Sequence, residues 1–357
     1  MKLPGLIDVH VHMREPGASH KEDWDSGTAA ALAGGITLLL AMPNTSPPVI
    51  TPSALQSTLD IARINARCDF AHFVGAGYEN ALSITKVAQQ AAGLKMYLDM
   101  TYGELRLDSM IHWHDHFQNW PRDFPIVVHS EGITMAAAIL FAAIYDRPVH
   151  IAHICSREEI ITIKKAKESG IKVTCEVAPH HLFLSSNDAS RLNHRGKYPG
   201  RMEVRPRLAS PHDQAALWSN LDVIDCFATD HAPHTLEEKD SDSPPPGFPG
   251  LETALPLLLT AVHHERLTLD DLVERMYTNP KRIFNLADQK DTWIEIDPDE
   301  EFTIRAEDQY SKCGWTPFEN VKVRGRLKKV GLRGKIAYQD GQVLSEPGFG
   351  RNIRKMK

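Results

Sequence analysis

The chain has 357 residues, of which 42% are hydrophobic and 24% charged, and this composition excludes a disordered, collagenous or coiled-coil protein. Lysine and arginine number 40 against 46 aspartates and glutamates, so no overall positive charge recruits nucleic acid or an anionic membrane. The sequence has neither an 18-residue apolar run nor a signal peptide, and its five cysteines form no close pair. We therefore expect a soluble, cytoplasmic protein. Histidine is unusually frequent, at 18 residues.

Short apolar runs alternate with helical segments over the first 230 residues, as in βα units around a parallel sheet. The candidate strands are 6–12, 36–42, 70–76, 93–98, 126–129, 149–153, 173–177 and 224–230. The candidate helices include 53–66, 134–145, 157–168, 212–221 and 250–264. Eight such strands predict an α/β fold, a (β/α)8 barrel that spans residues 1–287.

The segment 288–357 has a different character. Glycines separate short β-like runs at 302–305 and 331–338, and Asp340-Gly341 predicts a hairpin turn. We predict a small β-rich appendage, formed mainly by this C-terminal segment. The length thus divides into one barrel and a short tail rather than two comparable domains.

The strongest local motif is His10-Val11-His12, at the end of the first predicted strand. Side chains two residues apart on a strand face the same side. Both imidazoles are therefore expected to point into the barrel, where they could share one metal ion.

Later predicted strands also carry polar residues near their carboxyl ends: Lys95, His129, His153 and Asp230. Barrel enzymes build their active sites at this face. Burial favours the neutral form of an amine, and a neutral Lys95 could add carbon dioxide to become a carbamate. A carbamate is an anionic oxygen donor with two arms, so this set predicts a metal site in which Lys95 bridges two cations.

Six segments carry a resemblance to a known family: 8–17, 41–45, 93–95, 175–182, 229–234 and 246–253. On these residues the chain resembles the amidohydrolase superfamily. Within it, the chain is similar to the dihydroorotase domains of animal-type multienzymes that also carry carbamoyl phosphate synthetase and aspartate transcarbamoylase. The pair of motifs His-x-His-x-Arg-Glu-Pro-Gly and Asp-His-Ala-Pro-His is highly specific, and the resemblance spans almost the whole barrel.

The resemblance implies two zinc ions per chain, bridged by carboxylated Lys95 and a hydroxide. The implied metal ligands are His10, His12 and Asp230 for the first ion, His129 and His153 for the second, and Lys95 for both. Asp230 would also be the catalytic residue. In ring opening it would accept the proton of the attacking hydroxide and pass it to the leaving ring nitrogen, and in ring closure the transfers would reverse.

The implied reaction is the reversible cyclisation of N-carbamoyl-L-aspartate to L-dihydroorotate in de novo pyrimidine biosynthesis. Both compounds carry an α-carboxylate, and Arg14, two residues after His12 on the same strand face, is placed to bind it bidentately. The resemblance implies further substrate contacts from Asn44, Arg205, His234, Pro246 and Gly247. Thr101 and Tyr102 match a flexible loop that covers the site in relatives.

Some positions depart from the family pattern. Ala152 stands where animal domains can have a thiol, so an extra metal ligand is in doubt, and Cys155 does not obviously replace it. Glu176 on the seventh predicted strand could contact a metal, Arg207 is an unexpected charge near the pocket, and Tyr102 is a bulky loop residue.

Two alternatives remain at this stage. The first is another cyclic amidohydrolase, such as a hydantoinase, dihydropyrimidinase or allantoinase. Arg14 argues against it because those substrates lack the same carboxylate. The second is a non-catalytic structural domain of a multienzyme, which would be expected to lose metal ligands, whereas all six are present here.

The family resemblance also implies partners. We expect a homodimer that is covalently part of a larger multienzyme polypeptide. Only four residues precede Gly5 at the first predicted strand, which leaves no room for the N-terminal β-segment that family members commonly have. We interpret the sequence as a domain excised from a longer polypeptide.

Overall fold

The computed structural model describes residues 1–194 and 196–354. Its strands are β1 (Lys2–Pro4), β2 (Leu6–Val11), β3 (Ile36–Ala41), β4 (Asp69–His72), β5 (Val74–Gly75), β6 (Leu94–Tyr97), β7 (Ile126–His129), β8 (Val149–Ile151), β9 (Val173–Val177), β10 (Cys226–Phe227), β11 (Trp293–Thr303), β12 (Lys322–Leu332), β13 (Lys335–Gln339) and β14 (Gln342–Val343).

The α-helices are α1 (Trp24–Ala33), α2 (Pro52–Asn65), α3 (Met110–Asn119), α4 (Gly132–Ile144), α5 (Arg157–Glu168), α6 (Pro179–Phe183), α7 (Ala189–Leu192), α8 (Pro211–Ser219), α9 (Leu236–Lys239), α10 (Leu251–His263), α11 (Leu269–Val273) and α12 (Asn279–Ile283). A π-helical turn, Glu274–Thr278, joins the last two. Short 3-10 helices occur at Ile84–Val87, Ser186–Asp188, Pro199–Met202, Leu221–Val223 and Ala306–Asp308.

The predicted barrel is confirmed. Parallel pairing runs from β2 through β4 and from β5 through β10. A parallel bridge between Val11 and His231 closes the circle, and the amide of His12 donates to the carbonyl of His231 at 2.8 Å. The closure places the carboxyl ends of the first and eighth strands side by side.

Two of the predicted barrel strands are wrong in their bounds. The third, 70–76, is two strands that meet at Phe73, because β4 pairs with β3 and β5 pairs with β6. The eighth, 224–230, is regular only over Cys226–Phe227, since the amide of Thr229 donates to the carboxylate of Asp8 instead of to a neighbouring strand. The backbone then turns sharply, with Asp230 at φ 46°.

The barrel interior below the site is apolar. Its buried members include Ile7, Val9, Leu38, Leu40, Met42, Ala71, Phe73, Ala92, Val127, Ala152, Cys226 and Ala228. Phe284, just after α12, is completely buried against this cluster and packs edge-on to Phe73 with ring centroids 6.0 Å apart. The predicted metal-site residues therefore lie above a close-packed apolar cluster.

The appendage is an antiparallel sheet in the order β1-β11-β12-β13-β14. The predicted hairpin at Asp340-Gly341 is confirmed, with φ values of 44° and 87° that suit a tight turn. The single run predicted at 331–338 is wrong, because Arg333-Gly334 forms a second such turn, with φ values of 51° and 76°.

The N-terminus also differs from expectation. Residues Lys2–Pro4 form a short strand that pairs with β11, so an N-terminal β-segment is present after all. Three residues suffice because β11 already supplies the hydrogen-bonding edge. The division at 287/288 stays a prediction, and residues 355–357 of the predicted tail lie outside the described residues.

Across the two described ranges, none of the helices combines the length and the hydropathy that a membrane crossing requires.

Replacing Phe284 with alanine should open a cavity in the barrel floor and cost about 3 to 5 kcal/mol in the free energy of unfolding. Ile133→Ala, at a side chain 88% exposed on α4, is the control and should change it by less than about 0.5 kcal/mol. Denaturant titration of both variants measures the difference, and equal losses would show that Phe284 does not seal the barrel.

Candidate metal and substrate site

One small cavity opens at the carboxyl ends of the barrel strands. The predicted site residues that line it are His10, His12, Arg14, Asn44, Thr101, Tyr102, His129, His153, Arg205, Asp230, Pro246 and Gly247. Two others adjoin these lining residues: Lys95 is fully buried on β6, and His234 contacts the Arg14 guanidinium. The fold therefore brings together residues from eight separated segments of the sequence.

The two histidines of the first strand are held in defined tautomers. The Nδ1–H of His10 donates to the carboxylate of Glu176, and the Nδ1–H of His12 donates to the side-chain oxygen of Asn44 at 2.7 Å. Each ring thus has its proton on Nδ1 and a free lone pair on Nε2. A histidine whose other nitrogen is held in this way is a typical metal ligand.

Both lone pairs face a carboxylate. Oδ1 of Asp230 lies 3.3 Å from Nε2 of His10 and 3.2 Å from Nε2 of His12. Each of these lone pairs repels the anionic carboxylate oxygen, unless a cation lies between them. These three ligand atoms lie within 4.8 Å of one another, so their arrangement fits a bound metal ion.

A second pair of imidazole nitrogens converges nearby. Nδ1 of His129 lies 2.8 Å from Nε2 of His153, and the His10 and His153 rings are 5.2 Å apart. His153 turns inward through a left-handed backbone conformation, φ 36°, just after β8. Burial lowers the pKa of each of the four histidines, which favours the neutral, ligating form.

Lys95 fits a bridging role. Its side chain is fully buried on β6, and Nζ has no hydrogen-bond partner in the described part of the chain. Burial lowers the pKa of Lys95 to about 8, which makes the neutral amine accessible near neutral pH. Burying the Lys95 amine without a hydrogen-bond partner costs stability. A carbamate formed on this nitrogen would instead be stabilised by two neighbouring cations.

Asp230 is positioned by a partner on the first strand. The Asp8 carboxylate accepts hydrogen bonds from the amide and hydroxyl of Thr229, at 3.1 and 2.6 Å, and from the amide of His10 at 3.1 Å. One buried side chain therefore fixes the backbone beside His10 and beside Asp230. Burial raises the pKa of Asp8 to about 7, although these hydrogen bonds oppose the increase.

Arg14 is not on the strand face, so that part of the prediction is wrong. Strand β2 ends at Val11, and Arg14 adopts φ 60° in the following turn. Its guanidinium still reaches the cavity, where Nε donates to the carbonyl of Pro233 at 3.1 Å and one terminal nitrogen lies 3.0 Å from His234. The other terminal nitrogen is buried and has no partner among the described residues.

Asn44 lies three residues beyond β3 and links a metal-site histidine to the flexible loop. Its side-chain oxygen accepts from His12, and its amide nitrogen donates to the carbonyl of Tyr102 at 3.0 Å. The ring of Tyr102 lies over Arg14, 4.8 Å from the guanidinium carbon. Arg14, Asn44 and Tyr102 line both this cavity, of about 20 Å³, and a second cavity of about 320 Å³.

The remaining substrate candidates, Arg205, Pro246 and Gly247, also line the cavity. Gly247 needs its lack of a side chain, because at φ 146° a Cβ would lie 2.4 Å from the carbonyl of Ala232. The ammonium of Lys239 fixes this loop by donating to the carbonyls of Pro245 and Gly247, at 3.0 and 3.3 Å. Arg205 lines the cavity, whereas Arg207 is exposed and faces Glu203.

Sequence reasoning missed two supporting residues and the supporting role of Glu176, which it had considered as a metal contact. Glu176 uses one oxygen for His10 and the other for His150, at 3.0 Å from its Nε2, so the structure makes it a support for His10. Lys239 and Lys21 were also missed. Neither lies in the segments that carry the family resemblance, and a lysine is ordinarily a surface residue, so no sequence signal indicated them.

An α/β barrel with this ligand set at its strand ends is a metal-dependent hydrolase of the amidohydrolase class. Comparisons with known proteins support this class. The family model described as "Dihydro-orotase-like" matches residues 1–102. The multifunctional protein CAD of Squalus acanthias is 55% identical over 99% of this chain, which spans 16% of that protein's length. The dihydroorotase of Pyrococcus abyssi is 37% identical, with 99% of this chain and 87% of that enzyme covered.

Two solved structures share the fold. The L-hydantoinase of Arthrobacter aurescens has a TM-score of 0.90 at 26% identity, with 99% of this chain and 88% of that one covered. An inactive dihydroorotase-like domain of a Chaetomium thermophilum CAD-like protein has a TM-score of 0.84 at 28% identity, with 99% of each chain covered. The chain belongs to the dihydroorotase family.

Glu176→Gln should weaken zinc binding about 10- to 100-fold, because an amide holds the Nδ1–H of His10 less strongly than a carboxylate does. Competition with a chromophoric zinc chelator measures the affinity without any turnover. Glu79→Gln, at an exposed position, is the matched control. An unchanged affinity in Glu176→Gln would contradict the supporting role.

Proposed function

We propose that this chain is a zinc-dependent dihydroorotase, which interconverts N-carbamoyl-L-aspartate and L-dihydroorotate. The observation that carries the proposal is the position of Arg14. A buried guanidinium with an unpartnered terminal nitrogen, as far as the described residues reach, lines the same cavity as His10, His12 and Asp230. An anionic group of the substrate can thus be bound while a neighbouring amide bond lies at the metal site.

We propose two zinc ions as the cofactor, one held by His10, His12 and Asp230 and the other by His129 and His153. Carboxylated Lys95 would lie between them. The neutral histidines, the lone pairs that face Asp230 and the unpaired amine of Lys95 support this assignment. Bound zinc supplies a water molecule of lowered pKa and polarises the carbonyl under attack.

The protein groups then have separate tasks. Asp230 takes the proton of the attacking hydroxide and delivers it to the ring nitrogen that leaves, and it reverses these transfers during ring closure. Arg14 binds the α-carboxylate, with Asn44, His234 and Arg205 completing that subsite. The backbone of Pro246 and Gly247 meets the ring, and the loop with Thr101 and Tyr102 covers the site and excludes water.

The two alternatives are disfavoured for different reasons. A hydantoinase shares the barrel but gains nothing from a buried cation at the cavity, because its substrates lack the α-carboxylate. A non-catalytic domain, of the kind named for Chaetomium thermophilum, needs no ligand set. This chain keeps all six candidate ligands together with their supports Asp8, Asn44 and Glu176.

We also propose that the chain works in the cytoplasm as one domain of a larger multienzyme polypeptide and that the domain forms a homodimer. The support is its 55% identity with a stretch that makes up 16% of a multifunctional protein. Within that polypeptide, residues 1–287 would form the barrel and residues 288–357 most of the appendage.

Asp230→Asn should lower kcat by about 10²- to 10⁴-fold, because an amide cannot carry the proton. Asp222→Asn, at an exposed surface carboxylate, is the control and should keep full activity. Metal analysis of the wild type should find close to two zinc ions per chain. Near-normal turnover by Asp230→Asn would remove Asp230 as the acid and base.

Arg14→Ala should lower kcat/KM for dihydroorotate by roughly 10- to 150-fold, since a hydrogen bond to a charged group contributes about 1.5 to 3 kcal/mol. Arg14→Lys keeps the charge but not the planar fork, so we expect an intermediate loss. Assays with dihydroorotate and hydantoin, with and without a chelator, test both the role of Arg14 and the proposed dihydroorotase activity. Preferred turnover of hydantoin would favour the hydantoinase alternative, and no turnover of either would favour the non-catalytic one.

A further inference from the structure

Lys21 is a buried cation that the proposed mechanism leaves unused. It lies in the segment between β2 and α1, and its side chain is only 6% exposed. Its Nζ lies 3.1 Å from Nδ1 of His234, 2.9 Å from a carboxylate oxygen of Glu238 and 3.4 Å from the hydroxyl of Tyr102. Of these partners, Tyr102 lines the predicted substrate cavity and His234 contacts Arg14.

The contact with Lys21 determines which nitrogen of His234 carries the proton. A lysine ammonium has three donors and no acceptor, so this contact favours the tautomer in which Nδ1 of His234 accepts. Burial, together with the charges of Arg14 and Lys21, holds the pKa of His234 far below its usual value, and the ring is therefore neutral. A neutral ring has one proton, which in this case is on Nε2.

The Nε2 proton determines whether this nitrogen donates or accepts a hydrogen bond. Nε2 lies 3.0 Å from the carbonyl of Pro246, to which an Nε2–H donates. It also lies 3.0 Å from a terminal nitrogen of Arg14, a donor that alone would favour a bare Nε2. The contacts with Lys21 and Pro246 both favour the Nε2–H tautomer and outnumber it. In the opposite tautomer a bare Nε2 would accept from Arg14 and would repel both the Pro246 carbonyl and any carboxylate bound beside Arg14.

We propose that Lys21 is a positioning residue for the substrate carboxylate: it fixes the Nε2–H tautomer of His234, so that no bare imidazole lone pair faces the anion beside Arg14. The inference rests on the proposed function for the identity of the anion. It assigns to Lys21 an effect on substrate binding rather than on the chemical step.

Tyr102 ties the same residues to the flexible loop. Its ring lies 4.9 Å from Nζ of Lys21 and 5.0 Å from the His234 ring, in an edge-on arrangement. Lys21 therefore contacts both the group that it orients and the loop residue above it. Any test must separate these two contacts, as well as the ion pair with Glu238.

The experiment compares Lys21→Met, Lys21→Arg and Glu238→Gln in the zinc-loaded protein. Nitrogen-15 NMR of labelled histidines, with His234→Gln to assign the ring, reads the tautomer directly. We expect a protonated Nε2 in the wild type and a shift toward protonated Nδ1 in Lys21→Met. The KM for dihydroorotate should rise about tenfold in that variant, with kcat changed less than twofold.

The controls decide the interpretation. Lys21→Arg keeps a donor-only cation and should restore both the tautomer and the KM to within about threefold. Glu238→Gln keeps the contact between Lys21 and His234, so its tautomer should match the wild type. A Lys21→Met protein with an unchanged His234 tautomer would overturn the inference, as would a Glu238→Gln protein with the same tautomer shift.

Two further outcomes separate this inference from the proposed function. A tenfold higher KM in Tyr102→Phe, with the wild-type tautomer, would place the effect in the loop and overturn the role of Lys21. Absence of turnover in the wild type would overturn the proposed function alone. Dihydroorotate affinity from calorimetry would then replace KM, and an equal affinity in Lys21→Met would overturn the inference as well.

Discussion

The contact between the first and eighth strands is the constraint on which the site depends. Asp8 accepts from Thr229 and from the amide of His10, so one carboxylate holds two segments that are 221 residues apart in the chain. His12 and His231 add a backbone hydrogen bond beside it. Without this closure Asp230 would not face the histidine lone pairs. A slip of one residue between the strands would turn those side chains away from the cavity.

Control of imidazole tautomers is a second theme of this site. A carboxylate and an amide oxygen take the Nδ1 protons of His10 and His12, which leaves their Nε2 lone pairs for metal. An ammonium has the opposite effect on His234 and leaves the proton on Nε2, where it faces the Pro246 carbonyl. The same side chain thus becomes a ligand or a donor according to the charge of its neighbour.

Much of the site could be predicted because its residues stand at strand ends in a pattern with known geometry. The His10-Val11-His12 spacing and the position of Lys95 indicated an inward-facing set, and the structure groups them. The bounds of the eighth strand could not be predicted, because the Asp8 carboxylate replaces strand pairing at Thr229. The position of Arg14 was missed because a left-handed residue interrupts the alternation.

The sequence by itself determined the barrel, the candidate ligands and the family, because hydrophobic periodicity and motif spacing are local properties of the chain. Only the tertiary structure decided which proton each histidine carries, and it made Glu176 a support for His10 and brought Lys21 to His234. These contacts join residues more than 160 positions apart, so no local pattern specifies them. The chemistry of a neutral imidazole depends on its neighbours, and folding alone determines those neighbours.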